Sequence, residues 1–350
     1  MLNKILATVC FSVFPLPADG SNSMKINPDS KKIQDNNILN GDIVMKNEYY
    51  CILDIGGTKL LALLVDSRRR VLYKEKFPTI SGNTIDPLVD QICDTVERAR
   101  QQLKKGTELA RLGICIAAFV DYRTGDLYGA PNLKIREKVA FRDILHQRLE
   151  LPIVIENDAN AAVLGEVKYG AAIGARNAIY VTVSTGIGGG LFLNGELYRG
   201  NNSFAGEIGH LKLFGQDPCG CGMKGCLESV ASGGAMGRIA RKRISPQMSC
   251  ATLFEESRRE NKEAMRIVNK GLESLGLTFS NLITLLNPEY IVVGGGVSRE
   301  GEPLLKEIGK IIDKYLSPPF RNSVKLVRAK LDPESGIWGV YSLLHDSWGD

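Results

Sequence analysis

Apolar positions are spread unevenly along the chain. Residues 1–46 carry a single apolar stretch, Ile5–Phe14, and then a polar run without periodicity. From Tyr49 the pattern becomes strong. Tyr50–Ile55, Leu60–Val65 and Val71–Phe77 are apolar runs separated by tight turns, which predicts an antiparallel meander. Ile85, Leu88, Val89, Ile92, Val96, Ala99 and Leu103 then recur at spacings of mostly three and four, which predicts an amphipathic helix. Leu112–Ala117 reads as a short buried strand, Val139–Leu149 as a second helix and Pro152–Ile155 as a further strand. Another helix is expected to begin near Asn157, so the order is β-β-β-α-β-α-β-α.

That order then partly returns. Ala178–Ser184 and Gly190–Leu193 predict a hairpin around a glycine-rich turn. Ile267, Val268, Leu272, Leu275, Phe279, Leu282 and Leu286 mark one face of a long helix, Ala264–Leu286. Strand Tyr290–Val293 runs into Gly294-Gly295-Gly296. Helix Leu304–Leu316, strand Val324–Arg328 and a last helix from near Pro333 follow. No repeat of fixed period is present, only a repeated order of elements. Two α/β halves, each with a glycine turn, predict a cleft between them with phosphate held by both.

Composition narrows the class without naming a reaction. The 350 residues are 44% apolar and carry a net charge of +5, which argues against a disordered chain. No apolar run approaches the ~18–20 residues of a membrane span. Eight Cys are too few for a disulfide scaffold. Cys10, Cys51, Cys93, Cys115 and Cys250 are scattered, whereas Cys219, Cys221 and Cys226 crowd together. Scattered thiols inside apolar runs fit reduced core residues of a cytoplasmic protein.

The first 46 residues stand apart. Met1–Phe14 is apolar behind Lys4, like an export signal, but Pro15 and Pro17 break it. Cleavage after Ala18 would put Leu16 where a small residue is wanted. A disordered or loosely attached leader is expected, and Met24 and Met45 offer later starts.

Four places carry candidate chemistry. Asp54-Ile55-Gly56-Gly57-Thr58-Lys59 joins two strands, so it is not a strand-to-helix P-loop. Gly56 and Gly57 let backbone N–H groups approach an anion, Thr58 adds a hydroxyl and Lys59 a charge. Asp54 is suited to hold Mg²⁺ through water. Ser184-Thr185-Gly186-Ile187-Gly188-Gly189-Gly190 repeats the device between two further strands. An ordinary hairpin turn would explain either alone; the pair fits a cleft that clasps ATP. Asn157 and Asp158 open a helix, where such residues commonly serve as N-caps. An Asp there is also well placed to accept a proton from a sugar hydroxyl attacking phosphorus. Finally, His210, Cys219, Cys221 and Cys226 supply four N/S ligands suited to tetrahedral Zn²⁺. A fully coordinated His₁Cys₃ site would be structural, pinning a loop that projects Glu207 and Glu228 into the cleft.

Together these motifs make the segment Asp54–Ser232 resemble the ROK family of sugar kinases and sugar-responsive repressors. The most specific part is Ala205-Gly206-Glu207-Ile208-Gly209-His210 followed by the Cys219–Glu228 cluster. The resemblance spans residues 47–350 and implies two actin-like (RNase H-like) α/β domains with an interdomain cleft. It suggests a small domain of 47–168 plus 333–350 and a large domain of 169–332, the latter holding the second phosphate turn and the zinc loop. It implies Asp158 as catalytic base, and Asn132, Asn157, Glu207, His210 and Glu228 as sugar-binding positions. His210, Cys219, Cys221 and Cys226 match the family's zinc ligands, and Gly294, Gly295 and Gly296 lie where it holds the adenosine. A homodimer is also implied.

The sequence departs from the family at two points. Ala117-Ala118-Phe119 stands where Pro-Gly is usual, and Ser184 replaces a commoner Gly. Phe119, beside an apolar strand, is expected in the core; the alternative is that it lines or narrows the sugar pocket. A repressor would need a DNA-reading segment ahead of the sugar fold. Residues 1–46, with five Lys against four Asp, are poor material for one. The expected activity is therefore ATP- and Mg²⁺-dependent phosphorylation of a hexose at its 6-hydroxyl, with no nucleic-acid or membrane partner. Glucose is favoured, and N-acetylmannosamine or another hexose is the alternative.

Overall fold

The three apolar runs between Tyr50 and Phe77 form the expected meander. The structure is a computed structural model that describes residues 47–82, 84–213 and 215–346. The chain separates into Met1–Lys46 and Asn47–Asp350; the expectations about a leader therefore lie outside the described residues. β1 (Tyr49–Ile55), β2 (Lys59–Asp66) and β3 (Val71–Pro78) are followed by α1 (Asp86–Arg100) and β4 (Leu109–Ile116). Next come the two-residue strands β5 (Val120–Asp121) and β6 (Asp126–Leu127), then α2 (Phe141–Leu149), β7 (Ile153–Asn157) and α3 (Asp158–Tyr169). The second half runs β8 (Ala178–Val183), β9 (Ile187–Leu193), β10 (Glu196–Tyr198), α4 (Glu228–Ala231), α5 (Gly233–Arg243), α6 (Cys250–Arg258) and α7 (Lys262–Leu286). It ends with β11 (Tyr290–Gly294), α8 (Glu302–Tyr315), β12 (Lys325–Arg328) and α9 (Ser335–Asp346).

Two five-stranded mixed sheets share one topology. The first has the order β3-β2-β1-β4-β7 and the second β10-β9-β8-β11-β12. In each, the first three strands in sequence are antiparallel and the last two join parallel. The partial repeat of elements seen in the sequence is thus a full repeat in the strands. The third strand of the second sheet, β10, has only three residues and was not read from the pattern.

The helices that close the two sheets are exchanged. α3 leaves the first sheet, yet Ala159, Ala162 and Val163 pack with Ala178, Tyr180 and Val292 of the second. α9 leaves the second sheet, yet Val340, Tyr341 and Leu344 pack with Tyr50, Ile52 and Cys115 of the first. The fully buried Glu166 of α3 ties the crossing together. Its carboxylate accepts the Lys330 N–H at 3.0 Å, the Leu331 N–H at 2.9 Å, the Ala171 N–H at 2.7 Å and the Ser335 hydroxyl at 2.7 Å.

One boundary differs from the sequence reading. β9 begins at Ile187, so Gly188 and Gly189 join Gly190 in the strand rather than lying in the turn. Their lack of a side chain serves packing. A Cβ on Gly190 would stand 2.3 Å from the Ala159 carbonyl oxygen, and one on Gly189 2.6 Å from that of Gly206. The turn itself is Ser184-Thr185-Gly186, closed by Ser184 N–H to the Gly186 carbonyl at 2.9 Å.

Candidate active site

Strand register assembles the first half of the site. Asp54 pairs with Cys115 across β1 and β4, and Ile116 with Asn157 across β4 and β7. The carboxyl ends of three parallel strands therefore carry Asp54, the Ala117-Ala118 loop and Asn157 to one edge. Ligands of open α/β sheets commonly bind at such an edge. The first turn is closed by Gly56 N–H to the Lys59 carbonyl at 2.9 Å, leaving Thr58 and Lys59 exposed. Gly57 lies against Asn132, where a Cβ would stand 2.9 Å from both the Asn132 Cβ and its carbonyl oxygen. Two predicted site residues from distant segments thus meet.

Asn157 is the N-cap of α3. Its Oδ1 accepts the N–H groups of Ala159 at 2.9 Å and Asn160 at 3.1 Å. Its Nδ2 donates to the Ala118 carbonyl at 3.1 Å, which leaves one amide hydrogen for a ligand. The plain capping role is real, and it fixes Asp158 as the first residue of the helix.

Acidic groups converge around Asp158. Burial raises its carboxyl above the ordinary 3.8. Burial and the Asp158 charge push Asp54 up to about 7; Asp332 adds to this and the Cys115 thiol opposes it. Glu207 is also pushed up to about 7, by burial first and then by Asp158 and Glu228. Asp54, Asp158 and Asp332 have no ion-pair partner among the described residues. Asp332 was not read from the sequence. Its Oδ1 accepts the Gly295 N–H at 3.2 Å, a contact that only the fold creates.

The second half of the site centres on Glu228. Its Oε2 accepts the Ile187 N–H at 2.8 Å and sits where a Cβ on Gly186 would be, 2.4 Å away. Its Oε1 lies 3.6 Å from Cys219 Sγ. Glu228 therefore links the second turn to the Cys/His cluster. The Gly294–Gly296 segment reaches the same turn, with a Cβ on Gly296 3.7 Å from Ser184 Oγ. Gly188 faces Thr182 and Ala159 inside the sheet instead.

His210, Cys219, Cys221 and Cys226 present ligand atoms all within 4.8 Å of one another. Cys221 and Cys226 Sγ are 3.7 Å apart, and Cys219 Sγ is 3.8 Å from His210 Nδ1. A tetrahedron with metal–sulfur bonds of about 2.3 Å has edges of about 3.8 Å, so the spacing fits a zinc ion. Lys212 Nζ donates to Cys226 Sγ at 2.8 Å. The other imidazole nitrogen, Nε2, lies 3.9 Å from Glu207 Oε2. One ring can therefore face a metal site through Nδ1 and Glu207 through Nε2.

Phe119 is not a core residue. It is half-buried and meets Phe204 edge-to-face, with ring centroids 5.6 Å apart. Its apolar neighbours in sequence favoured the core, but the hydrogen bonds that pair Phe119 with Tyr128 and Gly129 turn it toward the loop after β10.

The ROK family profile matches residues 49–347. The chain belongs to the ROK family. Among ROK proteins, the glucokinase of Halalkalibacterium halodurans is 32% identical over 312 residues, covering 84% of this chain and 94% of that protein. The crystal structure of a ROK family glucokinase from Streptomyces griseus in complex with glucose and AMPPNP superposes with a TM-score of 0.72 at 33% identity. That match covers 84% of this chain and 98% of the other. The ROK hexokinase of Thermus thermophilus gives a TM-score of 0.73 at 32% identity, covering 85% and 99%.

Proposed function

We propose that this ROK protein is an ATP-dependent hexose kinase that phosphorylates the 6-hydroxyl of glucose. The observation that carries the reading is the register that brings Asp54, near the end of β1, and Asn157, at the end of β7 beside Asp158, to one sheet edge; electrostatics agree with it. The charge of Asp158 acts both on Asp54, beside the first hydroxyl-glycine turn, and on Glu207, in the loop before His210. A base at that position lies between a phosphate turn and a sugar-binding acid. The repeated sheets support two actin-like domains, divided as 47–168 plus 333–350 and 169–332, with the site in the cleft between them.

In this reading Glu207, Glu228 and His210 bind sugar hydroxyls through charge-assisted hydrogen bonds. Asn132 and Asn157 complete the sugar site from the first sheet. Asp158 accepts the 6-hydroxyl proton as that oxygen attacks the γ-phosphorus. The turns at Gly56–Lys59 and Ser184–Gly186 hold the polyphosphate, and Gly294–Gly296 borders the adenosine. Asp54 would hold Mg²⁺ through water, and the ion would supply positive charge to neutralise the polyphosphate. The zinc ion suited to the Cys/His cluster is structural: it would fix the loop on which Glu207 and Glu228 stand. A homodimer is part of the same reading.

Coupled ADP release against a panel of hexoses tests the assignment. Sites built to bond a hydroxyl reject analogues lacking it by up to roughly 10⁴-fold, so glucose should give the highest kcat/KM. A tenfold preference for N-acetylmannosamine would replace the sugar and keep the kinase.

A further inference from the structure

A small hairpin outside the motifs discussed so far grips a loop of the other sheet at four points. The hairpin is β5–β6 with its flanking residues Phe119 and Tyr128, which are joined by Tyr128 N–H to the Phe119 carbonyl at 2.8 Å. The loop runs from Arg199 to Phe204, just ahead of Gly206 and Glu207. Phe119 and Tyr128 each meet the Phe204 ring edge-to-face, with centroids 5.6 Å apart. Arg123 Nη2 donates to the Asn201 carbonyl at 3.2 Å. The Arg199 guanidinium stands over the Tyr122 ring, 4.2 Å from its centroid.

The loop is held in a form it would not choose alone. Ser203, next to Phe204, is a non-glycine residue at φ 66°, and its buried hydroxyl has no hydrogen-bond partner among the described residues. Left-handed backbone at such a residue persists where its surroundings enforce it. The loop is also anchored behind the catalytic edge. Arg199 Nε donates to Glu156 Oε2 at 2.8 Å, and Glu156 Oε1 accepts the Asn157 N–H at 3.0 Å. The hairpin, the loop before Glu207 and the strand before Asp158 therefore form one connected unit.

We propose that this clasp positions Glu207 for the sugar, with Phe119 and Phe204 as a pair of positioning residues that set sugar affinity. The proposal rests on the hexose-kinase reading above. Phe204 lies three residues before Glu207, separated only by Ala205 and Gly206, and Gly206 has φ 93°. With so short a tether, removing the ring contact frees the segment that bears the carboxylate. Nothing in the clasp touches the Gly56–Lys59 turn, so ATP binding should not sense it.

The test compares the glucose and ATP KM of the full-length enzyme with those of Phe119→Ala, Phe204→Ala and the double variant. Phe119→Ala is expected to raise the glucose KM about three- to tenfold, in line with one aromatic pair, and Phe204→Ala, which loses the contacts with both Phe119 and Tyr128, at least as much. kcat and the ATP KM should change less than twofold. The double variant should be no worse than Phe204→Ala, because the Phe119 ring acts through Phe204. Phe119→Tyr, which keeps the ring, should restore the wild-type KM. Arg123→Ala guards against misfolding: it removes only an exposed side chain and should raise the glucose KM by about twofold. Parallel increases in the glucose and ATP KM, or multiplied effects in the double variant, would overturn the clasp. A wild type that phosphorylates no hexose would instead overturn the kinase reading.

Discussion

Gly339 of α9 crosses Ala161 of α3 so closely that a Cβ on the glycine would stand 1.6 Å from the Ala161 carbonyl oxygen. The same crossing brings Gly165 of α3 against Ser335, with a Cβ 2.1 Å from its carbonyl oxygen. Both obstacles are backbone, which no rotamer change can move aside. Each helix covers the sheet that the other one left, so this contact joins the two halves of the molecule.

Gly339→Ala is therefore expected to be destabilising, although alanine is ordinarily the better helix former. Overpacking of this kind costs about 1–3 kcal/mol. Urea unfolding should show a lower midpoint at unchanged slope. An unaltered midpoint would mean that the helices separate freely.

Zinc content is the second expectation. Protein purified without added metal should carry one zinc per chain, measured by elemental analysis. Cys221→Ser should lower both metal content and thermal stability, because binding to such a site contributes to folding. A metal-free wild type with full stability and activity would contradict it.

The acidic cluster makes two pH predictions. Asp54 holds its proton up to about pH 7 when folded, against 3.8 for the ordinary group. Between those values the folded state binds more protons than the unfolded state, so stability falls as pH rises through the window. Protein without added Mg²⁺ or nucleotide should lose resistance to urea from pH 5 to pH 8, and Asp54→Asn should reduce that loss; Glu207 contributes in the same direction. Asp158 must be ionised to act as base, and burial raises it. The acid limb of kcat/KM should therefore fall at a pH above the ordinary carboxylate value. A limb at or below 3.8 would show Asp158 unperturbed.

Much of this was readable along the chain because its causes are local. The β1–β3 meander reads as three apolar runs bounded by turns, α7 carries a clean period of 3.6, and the hydroxyl-glycine turns punctuate the strands. Asn157 declares itself as a cap by residue type and position. Features that depend on distant packing left no such mark. Nothing near α3 or α9 says that each helix packs on the other's sheet, and Glu166 looks like a surface acid until its four donors are known. Gly188 and Gly189 read as a turn because glycine is common in turns; here the Gly206–Ile208 segment needs the space at Gly189. β5 and β6, at two residues each, are too short to alternate, so the hairpin that turns Phe119 toward Phe204 was invisible. The role of Asp332 required the fold to bring it beside Gly295.

The most direct test is Asp158→Asn, measured for both turnover and glucose binding. The amide keeps the shape of the carboxylate but cannot take the 6-hydroxyl proton. Loss of a general base typically costs about 10²–10⁴-fold, so kcat should fall by that amount while glucose affinity by calorimetry stays within about threefold. A variant that keeps more than half of the wild-type turnover would reduce Asp158 to a helix-capping neighbour and contradict the mechanism.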